Sequence, residues 1–245
     1  MNPFKKNKKQ LSIFITAGYP KINSLAEHIN MLETQGVDFI EVGIPFSDPM
    51  ADGPVIQNTS AIALDNGMNM KELFNQLANI HTSIPIVLMG YLNPVLKFGL
   101  VPFLQKCKEN AVASVILPDM SVEIYERFYE KDFQRFDMTP SFLITPTTDH
   151  ARVKKIAAIC QKSFVYLVSA NATTGSEDGL QENRFATYQR MKEVCQETPL
   201  FVGFGIRTRD DVQNIQRVVD GAIIGSAYLE SVRKGEQSNY IASLF

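Results

Sequence analysis

The sequence predicts an α/β fold, a single-domain (β/α)8 TIM barrel with a parallel eight-stranded core. Three observations carry this expectation. Eight apolar, β-rich runs recur along the 245 residues, stretches of helical period lie between them, and the runs are nearly continuously apolar rather than alternating. Strands of that kind belong to a parallel sheet covered by helices, and eight strand-helix units close into a barrel within this chain length.

The first run, LSIFITAG, follows a short polar segment, 1–10, whose Lys5, Lys6, Lys8 and Lys9 form the only basic cluster. In SLAEHINMLETQG, Leu25, Ile29 and Leu32 fall at i, i+4 and i+7 of a helix that Gly36 is placed to end. The remaining runs are DFIEVGI, PIVLMGY, SVILPD, PSFLIT, FVYLVS, LFVGFGI and GAIIGSA, each followed by a turn or a helical stretch. An open doubly wound sheet is the rival, but GFGIRT lacks the third glycine of GxGxxG and lies late in the chain. No linker divides residues 1–245, so one domain is expected. The irregular stretch ANATTGSEDGLQEN after the sixth run exceeds an ordinary connection, and residues 170–184 are read as a mobile lid loop at the barrel's C-terminal mouth.

Composition narrows the partners. The chain has 45% hydrophobic and 20% charged residues, with 24 Lys+Arg against 26 Asp+Glu for a net charge of -2, which excludes disorder and offers no field for gathering nucleic acid. Cys107, Cys160 and Cys195 show no CxxC spacing, so neither a disulfide framework nor a thiolate zinc site is expected. No run approaches the roughly 18 apolar residues of a membrane span, and the N-terminal apolar run reads as a strand rather than a signal-peptide core. A cytoplasmic protein is expected.

Two sets of residues could carry chemistry. In the second run, period-2 alternation puts Phe39, Glu41 and Gly43 on one face and Ile40, Val42 and Ile44 on the other. With the aliphatic face toward the helices, Glu41 points into the barrel, where burial raises its pKa toward the range of a general acid/base. Asp52, in the Pro- and Asp-rich loop PFSDPMADGP, stands beside the opening; turn formation is the plainer reading of that Asp, and its place at the barrel mouth favours a functional one. The second set is GFGIRT and GAIIGSA, where glycine-bearing strand ends lead into helix starts suited to a phosphate, with Gly205, Gly225 and Ser226 as donors. No lysine falls in a predicted strand, which disfavours a Schiff base, and His28, His81 and His150 lack metal-ligand spacing. Proton transfer by two carboxylates on a phosphorylated substrate, without metal or cofactor, remains.

The segment FIEVGIPFSDPMADGP, residues 39–54, closely resembles the signature of the tryptophan synthase α subunit family. The likeness extends through FITAGYP, VIQNTS, GYLNPV, SVILPD, FVYLVS with the following TTG, GFGIRT and GAIIGSA, in order over nearly the whole chain. The resemblance implies a (β/α)8 barrel and a lyase that cleaves indole-3-glycerol phosphate to indole and glyceraldehyde 3-phosphate in tryptophan biosynthesis. It implies Glu41 as the acid/base, Asp52 as acceptor of the indole N–H, and Tyr166 as an active-site tyrosine. It further implies Phe14, Met89 and Phe204 lining the indole pocket, Gly175, Gly205, Gly225 and Ser226 cradling phosphate, and Thr174 linking the lid to the Asp52 loop. No cofactor is implied for this chain; pyridoxal phosphate is expected only in a β subunit, the family's partner in an αββα heterotetramer. Residues 45–54 and the region of Asn93 would face that partner. A stand-alone lyase releasing free indole and a weak barrel kept as an allosteric activator share these residues and stay open. The chain departs from many bacterial members in having about ten residues before the first strand, where those begin with a floor-capping helix. Ala170 and Ala172 stand where members often carry arginine and glycine.

Overall fold

The computed structural model describes residues 2–168, 177–203 and 205–245, the side chains of 177–183 excepted. Each of the eight apolar runs contains a strand: β1 Gln10–Thr16, β2 Phe39–Gly43, β3 Ile86–Met89, β4 Ser114–Ile116, β5 in two pieces, Pro140–Ser141 and Leu143–Ile144, β6 Val165–Val168, β7 Leu200–Gly203 and β8 Gly221–Ile224. All neighbours are parallel. β8 pairs with β1, while β4 pairs with the first piece of β5 and β6 with the second. Between the pieces the Phe142 carbonyl accepts the Tyr166 N–H at 2.9 Å, so the ring closes through β5 as a barrel.

Helices follow the strands in turn: α1 Leu25–Thr34; α2 Pro54–Asp65 and α3 Met70–Leu77; α4 Leu92–Phe98 and α5 Leu100–Glu109; α6 Val122–Ile124, a π-turn Tyr125–Tyr129 and α7 Glu130–Arg135; α8 His150–Ile159; α9 Glu177–Cys195; α10 Arg209–Val218; α11 Ser226–Lys234 and α12 Gln237–Ala242. α1 buries the expected Leu25, Ile29 and Leu32. It ends in a Schellman motif, in which Gly36 at φ +85° donates to the Glu33 carbonyl and Val37 to that of Leu32, both at 3.1 Å. α9 begins at Glu177, inside the stretch read from sequence as a loop, so the segment after 176 is helical. The rest of that stretch, with Ala170, Ala172, Thr174 and Gly175, lies outside the described residues, as does Phe204.

Inside the barrel, β2 obeys the alternation. Phe39 meets Phe201 of β7 edge to face at a centroid distance of 5.1 Å and lies 5.5 Å from Phe164, at the end where the strands begin. Phe4, from the segment read as a polar tail, completes this layer at 4.9 Å from Phe164 and 5.1 Å from Phe39, and is buried. The chain is tied down around it. Asn2 donates to the Gln161 carbonyl at 3.1 Å and accepts from the Phe4 N–H at 3.0 Å, Gln10 accepts from Lys5, and Asn7 donates to buried Asp220 at 2.6 Å. Asp220 also accepts the Leu200 N–H at 2.9 Å and pairs with Lys192 at 3.0 Å. The aromatic layer thus makes the floor of the barrel.

Candidate active site

At the opposite end, glycine clears space for aromatic rings. A Cβ on Gly43, at the end of β2, would lie 2.3 Å from Cζ of Phe14, and one on Gly203, at the end of β7, would lie 1.9 Å from the Tyr166 hydroxyl. Because glycine stands there, the rings of β1 and β6 lean across the mouth of the barrel. Beneath them is a cavity of about 270 Å³ whose walls include Phe14, Glu41, Asp52, Met89, Tyr166, Gly205, Gly225 and Ser226. The fold therefore gathers eight of the residues expected from sequence at one place. Thr174, Gly175 and Phe204 lie outside the described residues.

Two clefts of about twice the volume, about 590 Å³ between α3 and α5 and about 600 Å³ beside residues 44–48, lie elsewhere. Neither places a buried acid against an apolar wall. Chemistry rather than volume marks the smaller cavity as the site.

Glu41 is 1% exposed, and among the described residues neither carboxyl oxygen has a hydrogen-bond partner. Burial alone pushes its pKa up to about 8, so the acid is held protonated at neutral pH. Its register partner across β1 is Phe14, and Met89 ends the adjacent β3. A proton is thus stored beside an apolar surface, which suits donation to a weakly basic carbon.

Asp52 is set by turn chemistry followed by a helix start. Its N–H donates to the Pro49 carbonyl at 3.1 Å, its carbonyl accepts from Gln57 at 2.8 Å, and Gly53 and Pro54 then open α2, with Pro54 at the position whose missing N–H costs nothing. Its carboxylate accepts from the Tyr91 hydroxyl at 3.0 Å, and that hydroxyl accepts the Ala51 N–H at 2.9 Å. Burial raises the pKa of Asp52, and the Tyr91 bond partly opposes the rise. The tyrosine of GYLNPV was visible in the sequence just past the third strand, but only the fold shows it gripping the Asp52 loop. Tyr166 is buried; desolvation and then the charges of Glu41 and Asp52 raise its pKa well above the ordinary phenol value, so it stays neutral.

On the other wall, Gly225 caps α11 and Ser226 opens it. The first N–H groups of a helix lack intrahelical partners and sit at the positive end of its dipole. Gly205, in the loop after β7, takes φ +73°. A Cβ on Gly225 would rest in ordinary contact with Phe14 at 3.5 Å and Ile56 at 3.7 Å, so the protein's own packing does not demand glycine there. Residues that sequence reasoning passed over, among them Ile56, Ile206, Arg207 and Ile223, also line the walls. The isoleucines carried no signal apart from ordinary core residues.

A (β/α)8 barrel whose C-terminal mouth holds two carboxylates and a helix start in one cavity has the architecture on which barrel enzymes build their active sites. The sequence model of the tryptophan synthase alpha chain family matches residues 2–243. A tryptophan synthase alpha chain from Flavobacterium psychrophilum is 40% identical, covering 98% of this chain and 96% of that one, and one from Bacteroides thetaiotaomicron is 44% identical over 92% and 89%. The structure of tryptophan synthase subunit alpha from Campylobacter jejuni superposes with a TM-score of 0.86 at 28% identity, covering 99% of this chain and 97% of that one. The chain belongs to the tryptophan synthase alpha chain family.

Among the described residues no helix is long and apolar enough to cross a membrane, and the three cysteines are buried and unpaired.

Proposed function

We propose that this chain cleaves indole-3-glycerol phosphate to indole and glyceraldehyde 3-phosphate, with Glu41 and Asp52 as its catalytic residues and no cofactor of its own. The observation that carries the assignment of roles is a protonated, unpartnered Glu41 on an apolar wall of the cavity that Asp52 also lines. Donation from Glu41 to indole C3 makes an electron-poor indolenine, and the resulting carboxylate takes the proton from the adjacent side-chain hydroxyl. The bond from C3 to the glycerol chain then breaks, its electron pair returning to the ring and the aldehyde forming on the other fragment. Asp52 accepts the ring N–H and stabilises the positive charge that develops there, an electrostatic contribution made by a group already in position. Phe14 and Met89 face the indole, and Gly205, Gly225 and Ser226 hold the phosphate. Phe204, Thr174 and Gly175 join this reading by family position.

The same reading gives the chain a cytoplasmic working place and a tryptophan synthase β subunit as partner in an αββα heterotetramer, where pyridoxal phosphate belongs to the β subunit. Exposed Met50, on the loop that carries Asp52, and Leu96, on α4, support a docking face beside residues 45–54 and Asn93. A solved structure titled tryptophan synthase, from M. tuberculosis, resembles this chain with a TM-score of 0.83 at 26% identity over 97% of this chain and 92% of that one.

Indole release by the purified chain, alone and with the β subunit added, tests the proposal. Stimulation on mixing is expected, and rapid turnover that ignores the partner would replace the subunit reading with a stand-alone lyase. Asp52→Asn should nearly abolish release while leaving inhibition by glycerol phosphate intact; near-normal turnover would remove Asp52 from its role. Hydrogen bonds to charged groups contribute about 1.5–3 kcal/mol. Tyr91→Phe is therefore expected to lower kcat/KM by about tenfold or more, with unchanged kinetics counting against the grip on Asp52.

A further inference from the structure

The loop after β7 carries an arginine for which the proton-transfer chemistry has no use. Arg207 lies two residues past Gly205 and lines the cavity, where it is the one cationic side chain among the described lining residues, against the two acids Glu41 and Asp52. Its guanidinium pairs with Glu230, one turn along α11 from Ser226. The backbone of Arg207 is fixed on both sides: its N–H donates to Asp211 at 3.0 Å, and its carbonyl accepts from the Tyr240 hydroxyl at 2.7 Å. Asp211 is itself held in the capping box of α10 with Thr208. The side chain is exposed, so its position is set by this fixed backbone and by the Glu230 pair.

A phosphate monoester brings about 1.5 to 2 negative charges at pH 7. The cradle of Gly205, Gly225 and Ser226 meets it with backbone N–H groups and one hydroxyl, in a cavity whose walls are otherwise apolar or acidic. Burying that charge without a counter-charge is costly. Guanidinium has five donors in a planar fork, which lets it engage phosphate oxygens on one edge and a carboxylate on the other. Since the pair with Glu230 is solvent-exposed, little free energy is lost when it loosens.

We propose that Arg207 is the phosphate's counter-charge, held beside the cradle by Glu230 and turned toward the substrate when it binds. This rests on the reading of the cavity as a site for a phosphorylated substrate and adds the residue that sets its affinity for the dianion. Glu230 is then both holder and competitor.

The two partners should therefore behave oppositely on removal. Arg207→Gln is expected to raise the KM for indole-3-glycerol phosphate and the inhibition constant of glycerol 3-phosphate by about tenfold. The effect should fall on KM rather than kcat, with a shallower dependence of KM on added salt. Arg207→Lys should recover part of the loss. Glu230→Gln, which frees the guanidinium, is expected to tighten glycerol 3-phosphate binding. If the pair merely staples the loop to α11, both substitutions will weaken binding alike, and that result overturns the proposal, as does an unchanged KM in Arg207→Gln. Comparison of glycerol 3-phosphate with glycerol on the wild-type chain separates the underlying reading. No preference for the phosphorylated compound would overturn the cradle and the counter-charge together, whereas a preference that survives intact in Arg207→Gln removes the counter-charge alone.

Discussion

Glu41→Gln is expected to reduce indole release by about a thousandfold or more while making the folded chain more stable at neutral pH. The first effect follows from chemistry: the amide fills the same space but neither gives a proton to C3 nor takes one from the hydroxyl. The second follows from the same burial that makes Glu41 useful. Its pKa is about 8 in the fold against an ordinary 4.5, so between these values the unfolded chain ionises while the folded chain keeps its proton. A raised folded pKa contributes stability that is fully present below pH 4.5 and is lost as pH climbs to about 8. At pH 7 the accumulated penalty is about 3 kcal/mol. Glutamine never ionises, so the stability difference between variant and wild type should open as pH rises from 4.5 and level off above 8. Urea unfolding at pH 4.5, 7 and 9 measures this directly. Parallel curves would show that Glu41 is solvated or partnered in solution, and its role as a stored acid would go with them. The activity of the wild type should correspondingly fall above about pH 8, where the donor loses its proton.

The features legible in the sequence were those that depend on neighbours along the chain. Alternation within FIEVG was enough to send Phe39, Glu41 and Gly43 inward and the branched residues outward, because a strand's two faces are fixed by its geometry. Leu25, Ile29 and Leu32, with Gly36 after them, described α1 and its end for the same reason. Placing Asp52 near Glu41 needed only the rule that barrel sites form on the loops after the strands. What the sequence hid depends on pairs distant along it. Tyr91 holds Asp52 from 39 positions away, and Arg207 meets Glu230 across 23. The break in β5 at Phe142 reflects pairing with two different neighbours, which no local pattern records. A helix starting at Glu177 was obscured by Gly179 and a run of polar residues with little periodicity. Phe4 was the clearest case, one aromatic residue among lysines and asparagines whose burial depends on rings supplied by β2 and the residue before β6.

That placement makes Phe4→Ala the second large effect expected, and one of stability alone. The ring is 2% exposed and touches Phe39 and Phe164, which in turn pack on Phe201, so its removal leaves a hole among large rings at the barrel floor. Phenylalanine-to-alanine changes in such surroundings cost about 3–5 kcal/mol, and for a chain of this size each kcal/mol lowers the melting temperature by about 2–4 °C. A fall of roughly 6 °C or more is therefore expected, with Phe4→Leu recovering part of it because a branched aliphatic side chain refills some of the volume. Loss of the ring should also loosen the bonds made by Asn2, Lys5 and Asn7, since these hold the segment only while Phe4 anchors it. The catalytic cavity lies at the other end of the strands, so indole release well below the melting temperature should stay near that of the wild type. A melting temperature within about 1 °C of the wild type would show that the segment before β1 does not carry the floor. A large fall in kcat at low temperature would show instead that floor and mouth are mechanically coupled through the strands. The expected combination, a weakened fold with intact chemistry, makes residues 2–10 part of the barrel floor, fixed there by the packing of Phe4 on Phe39 and Phe164.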